Sequence, residues 1–80
     1  MNNRDKYEKA FIECFSVDNS QLNGELTYNS IPEWDSIGHM NLIATLEDEF
    51  EIQFETDDII DFGSFMKGME ILSKYKVDVS

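Results

Sequence analysis

The sequence predicts an all-α fold, a small four-helix bundle with three main helices, a short third helix and a long loop between helices 1 and 2. Three observations carry this expectation. Apolar residues recur at helical spacing in three separate segments. The one alternating stretch, Phe50, Ile52 and Phe54, would make an isolated strand with nothing to pair with. Finally, 80 residues with 41% hydrophobic content, ten aromatics among them, make a single domain over 1–80 with enough apolar material for one compact core.

Helix 1 is expected over Asn3–Phe15, where Tyr7, Ala10, Phe11, Cys14 and Phe15 form one apolar stripe. Cys14 is the sole cysteine, so no internal disulfide forms, which fits a reducing compartment. It reads as a small buried apolar residue. Residues 16–33 are rich in Asn, Ser and Gly, a long loop for a compact domain. Val17, Leu22, Leu26, Tyr28 and Ile31 are spaced along it, so the loop should pack on the core. Pro32 fixes its backbone just before helix 2, and Trp34 is expected to anchor it to the bundle. Helix 2 runs over Ser36–Phe50, with Asp35 as N-cap. Thr56 is the expected N-cap of a short helix over 57–61, and Ser64 that of a last helix over 65–75. The expected core is Leu42, Ile43, Leu46 and Phe50 with Phe11, Phe15, Phe65 and Leu72.

Charge narrows the partners. Seventeen acids against six bases leave a net charge of −11, unsuited to nucleic acid, whose phosphates require Lys and Arg. The bases are Arg4, Lys6, Lys9, Lys67, Lys74 and Lys76, with none over 10–66, while eight acids fall within 47–61. Such a run is either a solvated face or a docking surface for basic partners. No apolar run approaches the ~20 residues that span a bilayer, and the N-terminal segment lacks a signal-peptide core. The expected protein is a cytoplasmic monomer without membrane insertion.

Helix 2 divides into two faces when each residue is set ~100° beyond the last. Leu42, Ile43, Leu46 and Phe50 form one stripe that must face the core. Ile37, Met40, Ala44, Glu47 and Asp48 form another, which begins at Ser36. An exposed face mixing apolar and acidic residues is the anatomy of a transient interface. The alternative is that Ile37 and Met40 touch the long loop. His39 falls in the core stripe and reads as a hydrogen-bonded residue at the core edge. No second His or Cys stands at metal-ligand spacing.

The stretch WDSIGHMNLIATLEDEF, residues 34–50, resembles the serine-bearing second helix of acyl carrier proteins. It has both the Asp-Ser-hydrophobic start and the Leu-Glu-x-x-Phe ending. The order of helix, long loop, serine helix, short acidic helix and final helix extends the resemblance over nearly the whole chain. It implies a carrier, not an enzyme. A phosphopantetheinyl transferase would move 4'-phosphopantetheine from coenzyme A onto Ser36, and the arm would hold acyl or aminoacyl groups as thioesters. By position, Asp35, Glu47 and Asp48 would meet basic patches on the loading and acyl-transferring enzymes, with Ile37, Met40 and Ala44 on the same face. The chain departs from fatty-acid carriers in having Gly38 and Asn41 where those have acids. It also has Pro32-Glu33-Trp34-Asp35 in place of their Gly-hydrophobic-Asp-Ser lead-in. These departures resemble specialised stand-alone carriers of secondary-metabolite, surface-glycan or D-alanyl pathways.

Other classes compete. An acidic adaptor without prosthetic group would mask a basic partner and be indifferent to Ser36→Ala. A calcium sensor needs a D-x-[DN]-x-[DN]-G loop ending in Glu, which is absent from the sequence. A hydrolytic relay of Ser36, His39 and Asp35 would need all three to converge on one pocket, whereas the helical angles turn Ser36 outward and His39 inward.

Overall fold

A computed structural model describes residues 2–79. Four helices appear among them and no strand: α1 (Asn3–Phe15), α2 (Ser36–Phe50), α3 (Thr56–Asp61) and α4 (Phe65–Lys74), with a 3₁₀ turn at Asn19–Gln21 inside the long loop. The all-helical bundle is the one expected, and α1 and α2 have the expected bounds. The third helix starts one residue early. Thr56 is its first residue and Glu55 its N-cap, with no side-chain cap bond. The fourth helix ends at Lys74, one residue short.

Local chemistry explains the boundaries. Asn2 Oδ1 accepts the Asp5 N–H, Asp35 Oδ1 the Gly38 N–H and Ser64 Oγ the Lys67 N–H, each satisfying a donor that a helix start leaves unpaired. Helices α1 and α2 close on Ser16 and Glu51 in the left-handed conformation. Their N–H groups return to the carbonyls of Ile12 and Glu47.

The core is largely aromatic. Phe11 lies at its centre, with ring centroids of Tyr7 and Phe65 at 5.0 Å, Trp34 at 5.5 Å and Phe15 at 5.8 Å. Leu42, Ile43, Leu46 and Leu72 complete it as expected. Phe50 does not belong to it. It is only half-buried, at the last turn of α2, and packs against the outside of the cluster. Cys14 is likewise half-buried, its Sγ 3.5 Å from Thr45 Oγ1. Phe54 and Phe62, absent from the expected core, are buried.

The long loop has a structural task. Val17, Leu22, Leu26 and Trp34 are buried and Ile31 is half-buried. The loop crosses to the α3–α4 junction, where the Tyr28 N–H donates to the Gly63 carbonyl and the Phe65 N–H to the Leu26 carbonyl, both at 2.9 Å. That crossing leaves Tyr28 on the rim, 40% exposed, not in the core. Helices α1 and α4 meet at Gly68, where a Cβ would collide with the Tyr7 hydroxyl and the Phe62 ring. The Tyr7 hydroxyl donates to the Phe65 carbonyl at 2.7 Å. Burial raises this phenol well above its ordinary pKa, against a smaller lowering by Arg4.

Beyond α4 the chain turns back at Lys76 and buries Val77 and Val79. Arg4 joins this return to α4, donating to the Val79 carbonyl at 3.5 Å and to Met69 Sδ at 3.1 Å while lying 5.3 Å from the Phe65 ring centroid. No helix among the described residues is long and apolar enough to cross a membrane.

Candidate functional site

Ser36, the first residue of α2, is exposed. Its position follows from the residues around it. The Trp34 indole is fully buried and stacks on Phe15 at 5.1 Å, which draws the preceding backbone down onto the first turn of α2. A Cβ at position 38 would run into the Glu33 carbonyl and come within 3.2 Å of Phe15 Cε1, so only glycine fits there. His39 completes the unit. Its Nδ1 accepts the Trp34 indole N–H at 3.0 Å, which assigns the proton to Nε2, the donor to the Ile59 carbonyl at 2.8 Å. One imidazole thus joins the loop, α2 and α3, and Ser36 is left outside the packed unit.

Beside Ser36 lies an open cleft of about 380 Å³ between α2, α3 and the loop. His39 and Met40 form one wall, Ile59 and Ile60 the other, with Phe62, Gly63 and Tyr28 closing the remaining side. Its rim is apolar and exposed: Ile60 is 73% accessible and Met40 53%. Ile37, next to Ser36 but outside the cleft lining, is 73% accessible as well. The loop therefore does not cover Ile37 or Met40. Ala44 and Asp48 are exposed on the same helix.

The acids differ in their freedom. Asp35 is exposed, but one of its oxygens caps Gly38. Glu47 is half-buried and accepts the Phe54 N–H at 2.9 Å. It therefore pins the segment after α2 and differs in this from the outward charge expected of it. Asp58 is buried. It accepts Lys74 Nζ and the Tyr75 hydroxyl, both at 2.5 Å, and the same hydroxyl accepts the Glu55 N–H at 2.9 Å. The hydrogen bond from Lys74, then that from Tyr75, holds the Asp58 carboxyl below its ordinary pKa. The acidic run thus includes a structural latch of α3 on α4.

Asp35, Ser36 and His39 do not form a relay: Asp35 is committed to a backbone N–H and both imidazole nitrogens are bonded elsewhere. Among the described residues no group of His, Cys, Asp and Glu is placed to hold a metal ion. Of the residues lining the cleft, sequence reasoning singled out Ser36 and Met40 as functional and read His39 as a residue of the core edge. It missed Tyr28, Ile59, Ile60, Phe62 and Gly63, because nothing local in 58–63 signals which isoleucine faces outward.

A prosthetic group on Ser36 requires a hydroxyl outside the core at a helix start, with free space beside it. The exposed position of Ser36 and the adjoining cleft fit that requirement. No protein-family pattern, curated protein or solved structure matches this chain.

Proposed function

We propose that this protein is a carrier modified at Ser36, and not an enzyme. Ser36 Oγ accepts 4'-phosphopantetheine from coenzyme A through a phosphopantetheinyl transferase, with adenosine 3',5'-bisphosphate as leaving group. When attached, that group supplies a thiol on which an acyl or aminoacyl cargo is held as a thioester. The observation that carries this reading is the isolation of Ser36. Trp34, Asp35, Gly38 and His39 are each locked in place around it, while its own side chain faces solvent beside an open cleft.

The chain's own residues serve that role in distinct ways. The start of α2 favours a phosphodiester, because unpaired N–H groups and the helix dipole point toward it. Ile37 and Met40, exposed next to Ser36, supply apolar contact for visiting enzymes, with Ala44 beside them. Asp48 and the free oxygen of Asp35 supply charge for basic partners, making association salt-sensitive and brief. A specialised biosynthetic pathway suits Gly38 and Asn41, which stand where fatty-acid carriers have acids, and the Trp34-Asp35 lead-in to Ser36.

The test is intact mass after incubation with coenzyme A, magnesium and a broad-specificity phosphopantetheinyl transferase, with Ser36→Ala alongside. The expected result is a gain of one phosphopantetheine in the wild type and none in the variant. No gain from folded, unmodified protein, with a control carrier loaded in the same tube, would leave the acidic adaptor as the better reading.

A further inference from the structure

We infer that His39 is an acid-sensitive catch: its neutral imidazole ties the Trp34 end of the loop and α3 to α2, and protonation releases both. The inference goes beyond the carrier reading and applies to the unmodified chain. Its basis is the direction of two hydrogen bonds. Nδ1 accepts the Trp34 indole N–H at 3.0 Å, and Nε2 donates to the Ile59 carbonyl at 2.8 Å. A neutral imidazole offers one acceptor and one donor, and both are used here. An imidazolium has two donors and no acceptor, so no orientation of the charged ring can take the indole proton. The indole also presents its N–H, on the positive edge of the ring, to the incoming charge.

Burial decides which partner gives way. Trp34 is fully buried and cannot turn to water, and an indole N–H without an acceptor is costly there. His39 is only half-buried and lines the open cleft. The imidazole is therefore the group that moves: water reaches it from the cleft, and an imidazolium gains hydration by turning outward. Its bonds to Trp34 and Ile59 are then lost together. The backbone bond from the His39 N–H to the Asp35 carbonyl, at 2.7 Å, does not depend on this charge. Helix α2 persists while its ties to the loop and to α3 open, and the backbone leading into Ser36 loosens.

The surrounding groups leave the switch to His39 itself. On the loop side, Tyr28 meets the imidazole edge-on at 5.5 Å, Asp35 is engaged by the Gly38 N–H, and Glu33 is exposed. On α3, Asp58 is held by Lys74 and Tyr75, while Asp57 and Asp61 are exposed. None of these carboxylates forms an ion pair with His39. Phe62, uncharged, completes the surroundings at 6.0 Å. The open form binds one proton more than the closed form, so acid favours opening. Histidine side chains change charge between about pH 5 and 8, above the range in which the Asp58 latch fails. The latch therefore keeps α3 on α4 while the catch opens.

His39 and Trp34 are the only histidine and the only tryptophan of the chain, so each reports without ambiguity. The experiment follows the imidazole nitrogens, the indole N–H and the backbone amides by ¹⁵N–¹H spectra of the unmodified protein from about pH 8 to about pH 5. His39→Gln and Asp58→Asn are run alongside. At the upper end the ring should carry its proton on Nε2. On acidification the imidazole, the indole N–H and the Ile60 amide should shift with one shared midpoint, the indole N–H moving upfield, with Ala44 unmoved. Asp58→Asn should keep this transition and His39→Gln should lose it. An imidazole that titrates with the indole N–H unmoved, or that stays neutral until the whole spectrum collapses, would overturn the catch. The same indole transition in His39→Gln would overturn it as well. If His39→Gln does not fold, the wild type decides alone: a shared midpoint supports the catch and separate midpoints overturn it. No step requires modification of Ser36, so the carrier reading stands or falls separately.

Discussion

The indole N–H of Trp34 donates to Nδ1 of His39 at 3.0 Å, and the other imidazole nitrogen bonds the Ile59 carbonyl. A residue on the loop and one on α3 are thus connected through a single side chain one turn into the serine helix. The two rings also stack, with centroids 6.2 Å apart and planes 17° from parallel.

Replacing that imidazole should cost more than its volume suggests. His39→Phe keeps an aromatic ring but strands the buried indole N–H and the Ile59 carbonyl. The expected loss is about 1–3 kcal/mol for groups left without partners. Urea unfolding followed by Trp34 fluorescence measures it, and a loss within error of zero would mean that water replaces the imidazole at both groups.

Two glycines are expected to reject alanine for steric reasons. Gly38→Ala drives a methyl into the Glu33 carbonyl, and Gly68→Ala drives one into the Tyr7 hydroxyl and the Phe62 ring. Each should destabilise the fold by about 1–3 kcal/mol. Tyr7→Phe removes one of the two obstacles to a methyl at position 68, so Gly68→Ala should cost less in that background than in the wild type. Thermal unfolding of the four proteins in this cycle gives the coupling directly.

The latch at Asp58 makes stability depend on pH. Its pKa is lower in the folded than in the unfolded chain. Its contribution is therefore complete above the ordinary value of 3.8 and disappears as pH falls through the lower folded value. Lys74 is raised by its bond to Asp58, and Tyr75 by burial and then by the same carboxylate. Their contributions are complete below the ordinary values of 10.5 and 10.0 and are lost at higher pH. Urea midpoints of the wild type should fall more steeply than those of Asp58→Asn below pH 4 (about the ordinary carboxylate value). Parallel curves would show that another carboxylate governs the acid limb.

Asp35 and Glu47 offer a way to separate charge from structure. Asp35→Asn keeps an N-cap oxygen and should be nearly neutral to folding, whereas Asp35→Ala should lose about 1 kcal/mol. A slower modification of Ser36 in Asp35→Asn, at unchanged thermal midpoint, would then report docking electrostatics. Glu47→Ala should lower the thermal midpoint, because it frees the Phe54 N–H. An unchanged midpoint would return Glu47 to the docking face.

The helices were legible in the sequence because their signals are local. Asp35 and Ser64 act on N–H groups within one turn, and the apolar repeats of α1 and α2 act within two or three. The serine at the start of α2, its outward face and the inward His39 follow from the same periodicity. The 3₁₀ turn has a local signal, the capping box of Asp18 and Gln21, which sequence reasoning passed over inside the long loop, whereas the return of Val77 and Val79 has no such local pattern.

By itself, then, the sequence determined the bundle, the bounds of its first two helices and the exposure of Ser36, since each depends on neighbours a few residues away. The tertiary structure alone decided which acids are free, why position 38 must be glycine, and that Tyr28, Met40 and Ile60 meet beside Ser36. Those properties depend on which distant segments touch. Burial of Trp34, the Glu47–Phe54 bond and the Asp58–Lys74 latch exist only once the loop, α3 and α4 have packed together.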